Sequence, residues 1–159
     1  MAKVLIVFHS RSGNTAKMAQ AVMEGVEEVD GVTVDVKRVE DATPEDLTAA
    51  DGIIMGSPVY YGTIAAELKK LIDDSVKFHG QLDGKVGGAF ATAGVTGGGA
   101  ETTVLDILKT MLVHGMIVKG SHQGAHYGPV CVKAPDEKAL DRCRKLGTDV
   151  AELTLRLFG

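Results

Sequence analysis

The segment His9–Thr15, HSRSGNT, holds the first group of side chains that could bind a ligand. It offers hydroxyls at Ser10, Ser12 and Thr15, an amide at Asn14, and the backbone N–H groups of a tight turn. A helix that begins near Asn14 would add its unpaired N–H groups and the positive end of its dipole. Together these groups suit a phosphate dianion, although a serine-rich helix cap is the ordinary alternative for this segment alone.

The motifs of larger phosphate ligands are missing from this turn. The P-loop pattern G-x-x-x-x-G-K-[ST] does not occur, so a nucleoside triphosphate would lack its lysine and its magnesium-binding hydroxyl. G-x-G-x-x-G does not follow the first apolar run either, which disfavours a bridging pyrophosphate. The turn is therefore predicted to bind a terminal monophosphate.

Two later segments could approach a flat ligand. Gly56–Gly62, GSPVYYG, is stiffened by a proline and carries two of the three tyrosines. Thr92–Gly99, TAGVTGGG, has little side-chain bulk, so its backbone could approach a ring and donate N–H groups to ring carbonyls. Sheet-edge packing would also explain the tyrosines, and a mobile loop would also explain the glycines. A phosphate turn, an aromatic loop and a glycine loop at neighbouring strand ends nevertheless describe a site for a flat ring with a phosphate tail.

Alternating strands and helices would bring these loops to one edge of a sheet. The first apolar run does not alternate and lies inside the sheet, whereas the second alternates with polar residues and lies at an edge. Ligands of such sheets bind at the carboxyl ends of the strands. We predict a three-layer, doubly wound α/β fold with a five-stranded parallel sheet in the order 2-1-3-4-5 and one domain over residues 1–159. Strands are predicted at 4–8, 32–36, 53–55, 86–91 and 116–118, with 130–132 as a continuation of the fifth after the loop SHQGAHYGP. Helices are predicted at 15–29, 64–74, 100–114 and 135–157, together with a short helix that Thr43 caps and Pro44 begins.

Composition and charge argue against several classes of protein. The chain has 159 residues and is 45% hydrophobic, enough to form a core and too much for a disordered chain. A formal net charge of -4 argues against a nucleic-acid partner. The first apolar run is too short for a signal sequence or a membrane span, and Cys131 and Cys143 have no metal-like spacing. We therefore expect a cytoplasmic protein with no metal and no membrane partner, and with both cysteines in its core.

Several motifs resemble those of one protein superfamily. SRSGNT and GSPVYYG resemble the FMN-binding loops of flavodoxin-like proteins, and the resemblance extends over essentially the whole chain. TAGVTGGGAETTV, LVHGMIV and HYGPV are closer still to NAD(P)H:quinone oxidoreductases of the tryptophan-repressor-binding-protein (WrbA) type, here in a short form without the insertion between strands two and three. The resemblance implies FMN as cofactor, NAD(P)H as hydride donor, a small-molecule quinone as electron acceptor, and a homo-oligomer, either a dimer or a tetramer.

The same resemblance assigns roles within the site. We call Ser10–Thr15 the serine turn, Gly56–Gly62 the tyrosine loop and Thr92–Gly99 the glycine loop. The serine turn would hold the FMN phosphate, residues 58–62 of the tyrosine loop would flank the isoalloxazine, and residues 92–98 of the glycine loop would enclose its pyrimidine end. His114 would approach the flavin as the catalytic residue and proton donor, although a role in capping its own helix is equally compatible with its position. His126 and Tyr127 are further candidates near the same rim. The cofactor-binding residues implied are Ser10, Arg11, Ser12, Gly13, Asn14, Thr15, Pro58, Val59, Tyr60, Tyr61, Gly62, Thr92, Ala93, Gly94, Gly97, Gly98 and His114.

A second function stays open, that of an electron-transfer flavodoxin. Such a carrier docks a redox partner protein and has no substrate of its own. Carriers are usually strongly acidic around the flavin, whereas this chain has 21 acidic against 17 basic residues and no acid in the glycine loop before Glu101. The charge balance therefore favours the enzyme. A response-regulator module with the same strand order is set aside, because an aspartate would have to end strand three, where this chain has Gly56 and Ser57.

Overall fold

The computed structural model describes residues 1–159, along which strands and helices alternate. None of its helices combines the length and the apolar character needed to cross a bilayer. The strands are β1 (Ala2–Phe8), β2 (Val32–Arg38), β3 (Gly52–Tyr60), β4 (Thr63–Ile64), β5 (Val86–Ala93), β6 (Ile117–Val118) and β7 (Val130–Val132). The helices are α1 (Asn14–Glu27), α2 (Pro44–Ala49), α3 (Ala66–Asp74), α4 (Ala100–Val113) and α5 (Glu137–Phe158), with 3-10 turns at Val39–Asp41 and Ser75–Phe78.

The main sheet is parallel and has the order β2-β1-β3-β5-β6. Its fifth position is shared by two short strands, because β6 pairs with Val86 and Gly87 at the start of β5 and β7 pairs with Ala91–Ala93 at its end. The predicted strand order is therefore confirmed, and residues 119–129 form the interruption within the fifth strand. The two-residue β4 adds an antiparallel pair to the end of β3 that the sequence patterns do not indicate.

Helices cover both faces of the sheet, as β1 shows. Val4, Ile6 and Phe8 belong to a core shared with α1 and α5. Leu5 and Val7 belong to a second core shared with α2, α3 and α4. Because successive side chains of a strand point to opposite faces, the fully apolar run of β1 supplies both cores at once.

Both cysteines lie in the core formed with α1 and α5 and have free thiols. Burial raises the pKa of Cys131 to about 11, with a smaller contribution from Asp136. Burial likewise raises the pKa of Cys143 to about 12. A thiol reacts as the thiolate, so these environments suit packing residues rather than redox thiols.

Candidate functional site

Three loops meet at the carboxyl edge of the sheet. Phe8 of β1 pairs with Gly56 of β3, and Gly56 pairs in turn with Phe90 of β5, so the three strands end side by side. The serine turn follows β1, the tyrosine loop follows β3 and the glycine loop follows β5. The structure thus brings together the three loops that the sequence places at neighbouring strand ends.

The serine turn presents backbone donors at the start of α1. Gly13 is the N-cap of α1 with a φ of 98°, and no side chain of the N-cap caps the helix. The hydroxyl of Ser10 accepts hydrogen bonds from the N–H groups of Gly13, at 3.2 Å, and of Ala16, at 3.3 Å, and so closes the turn. The N–H groups of Asn14 and Thr15 belong to the first turn, where no intrahelical acceptor exists, so they suit an anion.

Arg38 brings a positive charge to this turn from the end of β2. Its Nη1 donates to the carbonyl oxygen of Ser10 at 3.1 Å, and its guanidinium lies 5.3 Å from the ring centroid of Phe8. The sequence patterns do not single out Arg38. Its position follows from the parallel pairing of β2 with β1, in which Arg38 is the partner of Phe8.

The glycine loop is joined to the serine turn through two threonines. Thr15 in α1 and Thr92 at the end of β5 are both buried, and their hydroxyl oxygens lie 2.9 Å apart. The loop itself packs against the tyrosine loop, since a Cβ at Gly99 would lie 3.0 Å from the carbonyl oxygen of Gly62. Gly94, by contrast, faces open space, where an added Cβ would meet nothing within 4 Å.

The glycine loop adopts left-handed backbone at only some of its glycines. Gly97 has a φ of 77° and Gly99 a φ of 112°, values that glycine adopts more easily than other residues. Gly98 lies outside that region, and what restricts it is the carbonyl oxygen of Val95, 3.0 Å from an added Cβ. Glycine is therefore required for backbone conformation at Gly97 and Gly99, whereas Gly98 is restricted by space.

The tyrosine loop is a tight hairpin. Val59 and Tyr60 pair with Ile64 and Thr63, so that Tyr61 and Gly62 form the two-residue turn, both with positive φ. This combination is typical of type I′ hairpin turns. Tyr61 is fully exposed as a result, and its ring is free to contact a flat ligand.

His9, directly before the serine turn, lies between two carboxylates that sequence reasoning misses. Its Nδ1 lies 3.0 Å from Oε1 of Glu40, and its Nε2 lies 3.7 Å from Oε2 of Glu67. On the other side, the guanidinium of Arg11 lies 4.8 Å from the ring centroid of Tyr60. Charged or titratable groups from three segments of the chain therefore border the edge at which the three loops meet.

His114 lies at the opposite end of the sheet, so the structure does not bring this expected catalytic and flavin-contacting residue to the three loops of its own chain. It follows the last residue of α4, and the carbonyl oxygen of the next residue, Gly115, accepts a hydrogen bond from the N–H of Gly84 just before β5. The length of β5, about 23 Å at 3.3 Å per residue, separates that end from the glycine loop. His114 lies there because α4 starts at the carboxyl edge, directly after the glycine loop, and runs back along the sheet.

The surroundings of His114 are those of a partly buried structural histidine. Its Nε2 lies 2.8 Å from the hydroxyl of Ser75, and its Nδ1 is buried without a hydrogen-bond partner. Burial lowers the pKa of His114 below 6.5, and the neighbouring His79 lowers it further. His126 and Tyr127 are also separate from the three loops, because they line a cleft between residues 119–129 and α5.

Comparison with known proteins places this chain in a family. The family model described as NADPH-dependent FMN reductase matches residues 2–127. The chain belongs to this family. Relatives of this chain include a flavodoxin of Aquifex aeolicus, 38% identical over 96% of this chain and 86% of that protein. They also include an NAD(P)H dehydrogenase (quinone) of Archaeoglobus fulgidus, 34% identical over 99% of this chain and the whole of that protein.

Solved structures confirm the flavodoxin-like fold of this FMN reductase family member. A flavodoxin from the domain Archaea superposes with a TM-score of 0.78 and 30% identity, covering 96% of this chain and 98% of its own. The flavodoxin, WrbA-like protein from Agrobacterium tumefaciens superposes with a TM-score of 0.77 and 28% identity, covering 98% and 99%. The predicted resemblance to both groups is thereby confirmed.

Proposed function

We propose that this protein is an FMN-dependent oxidoreductase that transfers two electrons from NAD(P)H to a quinone. The observation that carries the proposal is the meeting of a helix start with free N–H groups at Asn14 and Thr15, an exposed tyrosine hairpin and a glycine loop at one edge of the sheet. The family and the relatives named NAD(P)H dehydrogenase (quinone) support both FMN and the two substrates.

The serine turn fits the phosphate of FMN. Backbone N–H groups at the start of α1 and the hydroxyls of Ser12 and Thr15 would donate to its oxygens, and hydrogen bonds to a charged group are stronger than neutral ones. Arg11 and Arg38 add positive charge beside the turn. These groups suit a terminal phosphate dianion and have no counterpart in a site for riboflavin alone.

The other two loops fit the isoalloxazine. The exposed ring of Tyr61 offers a flat apolar surface, and the open space at Gly94 leaves the backbone of the glycine loop accessible to ring carbonyls. Bound FMN would supply the hydride acceptor and the two-electron donor, and the protein would bind it, orient it and limit the access of water. The residues that we propose to hold it are Ser10, Arg11, Ser12, Gly13, Asn14, Thr15, Pro58, Val59, Tyr60, Tyr61, Gly62, Thr92, Ala93, Gly94, Gly97 and Gly98.

A carrier function has two observations in its favour. This chain aligns with a flavodoxin of Clostridium saccharobutylicum over 98% of its own length and 99% of that protein, at 32% identity. In addition, Glu40 and Glu67 place two carboxylates beside the site, an acidity that the loop sequences do not reveal. The second candidate function is therefore an electron-transfer flavodoxin that docks a redox partner protein.

Two further features complete the proposal. We propose a homo-oligomer, either a dimer or a tetramer, by analogy with the WrbA type that this chain resembles. A cytoplasmic location accords with two free, buried cysteines, since reduced thiols are typical of that compartment.

Rapid mixing of the FMN-loaded protein with NADH and with NADPH tests the enzyme against the carrier. The enzyme is expected to lose its flavin absorbance on mixing and to regain it when a benzoquinone is added, with one NAD(P)H consumed per quinone. Comparing the two donors also identifies the preferred nicotinamide. FMN that binds but is not reduced by either donor, while it exchanges electrons with a reduced ferredoxin, would overturn the enzyme in favour of the carrier.

A further inference from the structure

His9 lies at the edge of one hydrophobic core, next to Tyr60 of the tyrosine hairpin. It follows Leu5 and Val7 on the face of β1 that packs against α2, α3 and α4, and it is only 7% exposed. Its backbone N–H donates to the carbonyl oxygen of Gly56, at 3.1 Å, which continues the pairing of β1 with β3. The backbone of His9 is thus fixed by the sheet.

Both ring nitrogens of His9 face a carboxylate. Glu40 comes from the 3-10 turn after β2, and Glu67 from the first turn of α3, at the distances of 3.0 and 3.7 Å already given. An ionised carboxylate only accepts hydrogen bonds, and a neutral imidazole has a proton on one nitrogen alone. Only the imidazolium therefore directs an N–H at each of the two carboxylates.

His9 and its two carboxylates border the proposed FMN site on the side of the tyrosine hairpin. The rings of His9 and Tyr60 meet edge to face, with centroids 6.0 Å apart and planes at 79°. The charged or titratable groups that face His9 are Glu40, Glu67 and Tyr60. Two arginines lie farther away: Arg11 contacts the ring of Tyr60, and Arg38 donates to the carbonyl oxygen of Ser10. Arginine keeps its charge at all ordinary pH values, whereas histidine is the side chain that typically changes charge near neutrality.

We propose that His9 is a positioning residue whose imidazolium lies between Glu40 and Glu67 and sets the charge beside the bound flavin. This inference rests on the binding of FMN proposed above. When His9 loses its proton, two carboxylates remain with no cation between them, and the edge of the site becomes more negative by one charge. Electrons added to FMN then meet greater Coulomb repulsion, so reduction becomes less favourable. Reciprocally, reduction of FMN favours the protonated ring.

The two-electron midpoint potential of bound FMN, measured from pH 6 to pH 8.5, tests this role. His9→Gln retains a hydrogen-bond donor but carries no charge. At pH 6 and the same applied potential, we expect its ratio of reduced to oxidised FMN to be about tenfold lower than in the wild type. For a two-electron couple this corresponds to a midpoint potential about 30 mV lower. Because glutamine has no proton to gain or lose, the difference between the two potentials should change with pH. His79→Gln, the same substitution at an exposed position at the far end of the sheet, should match the wild type throughout.

The double variant Glu40→Gln/Glu67→Gln gives an independent test that retains His9. Its potential should lie above that of the wild type, because two negative charges are removed, and the gap should change with pH, because the carboxylates no longer stabilise the imidazolium. If His9→Gln does not fold, a gap that stays constant from pH 6 to pH 8.5 would overturn the inference. A His9→Gln potential that runs parallel to the wild type, or coincides with it, from pH 6 to pH 8.5 would overturn the inference and leave FMN binding intact. A protein that binds no FMN would overturn the proposed function and this inference with it.

Discussion

The hydroxyls of Thr15 and Thr92 share a hydrogen bond of 2.9 Å between residues 77 positions apart in the chain. Thr15 lies in the first turn of α1 and Thr92 at the end of β5, so the bond fixes the serine turn relative to the glycine loop. The two parts of the site that would hold opposite ends of FMN are therefore connected within the cofactor-free protein.

Thr92→Val should destabilise the cofactor-free protein by about 1–3 kcal/mol. The substitution keeps the shape of the side chain but leaves the buried hydroxyl of Thr15 without its partner, and an unpaired buried polar group costs about that much. Urea unfolding measures the change in the free energy of unfolding. Thr92→Ser is the control, since it keeps the hydroxyl and should recover most of the loss. Equal destabilisation by both variants would show that the methyl group matters and the hydrogen bond does not.

Ser12→Ala should weaken the binding of FMN and spare that of riboflavin. Ser12 is exposed in the serine turn, where its hydroxyl can donate to a phosphate oxygen. Loss of one hydrogen bond to a charged group costs about 1.5–3 kcal/mol, which is about a tenfold or greater rise in Kd. Fluorescence titration of the wild type and the variant with both ligands measures the four constants. An equal loss for riboflavin would place the phosphate away from this turn.

Gly99→Ala should destabilise the fold, and Gly94→Ala should not. Alanine at Gly99 would be forced to a φ of 112°, and its Cβ would lie 3.0 Å from the carbonyl oxygen of Gly62. Strained backbone of this kind costs about 1–3 kcal/mol. Gly94 lies in the same loop without positive φ and with open space around it, so it is the matched control. Thermal unfolding of the cofactor-free variants provides the measurement, and a Gly99→Ala protein as stable as Gly94→Ala would show that the loop adapts.

His114 should make the folded protein less stable in mild acid. Its pKa is lowered below 6.5 in the folded state by burial and by His79, so below about pH 6.5 the unfolded chain binds more protons than the folded one. The free energy of unfolding therefore decreases as the pH falls through this window. The absence of an acceptor at Nδ1 fits this sign, because a proton added there would find no partner.

His114→Gln tests that pH dependence directly. The free energy of unfolding of the variant, measured in urea at pH 7 and pH 5, should fall less between the two pH values than that of the wild type. His122→Gln changes an exposed histidine in the same way and should retain the wild-type dependence. If the free energy of unfolding falls equally for His114→Gln and the wild type between pH 7 and pH 5, other groups cause the acid sensitivity.

The parts of the site that could be predicted from the sequence are those that follow directly from a strand. Thr15 and Thr92 belong to segments next to apolar runs, and a parallel sheet brings such segments to one edge. Glu40 and Glu67 could not be found in this way, since neither belongs to a motif and their approach to His9 depends on how a 3-10 turn and α3 pack over β1.

The distance of His114 from the three loops of its own chain could have been predicted from the topology alone. The 14 residues of α4 span about 21 Å at 1.5 Å per residue, which is close to the length of β5. A helix that starts at the glycine loop must therefore end at the other end of the sheet. The left-handed backbone at Gly97 and Gly99, but not at Gly98, could not be predicted in this way, because no sequence pattern specifies these backbone angles.

The division of the fifth strand into β6 and β7 also affects how copies of this protein meet in concentrated solution. A long unbroken edge strand presents a row of free N–H and C=O groups with which another chain can pair, and so promotes aggregation. Here the two strands have only two and three residues, and between them the loop covers β5, with the N–H of Ala91 donating to the carbonyl oxygen of Pro129. This side of the sheet offers no continuous template, which protects the folded protein from edge-to-edge polymerisation.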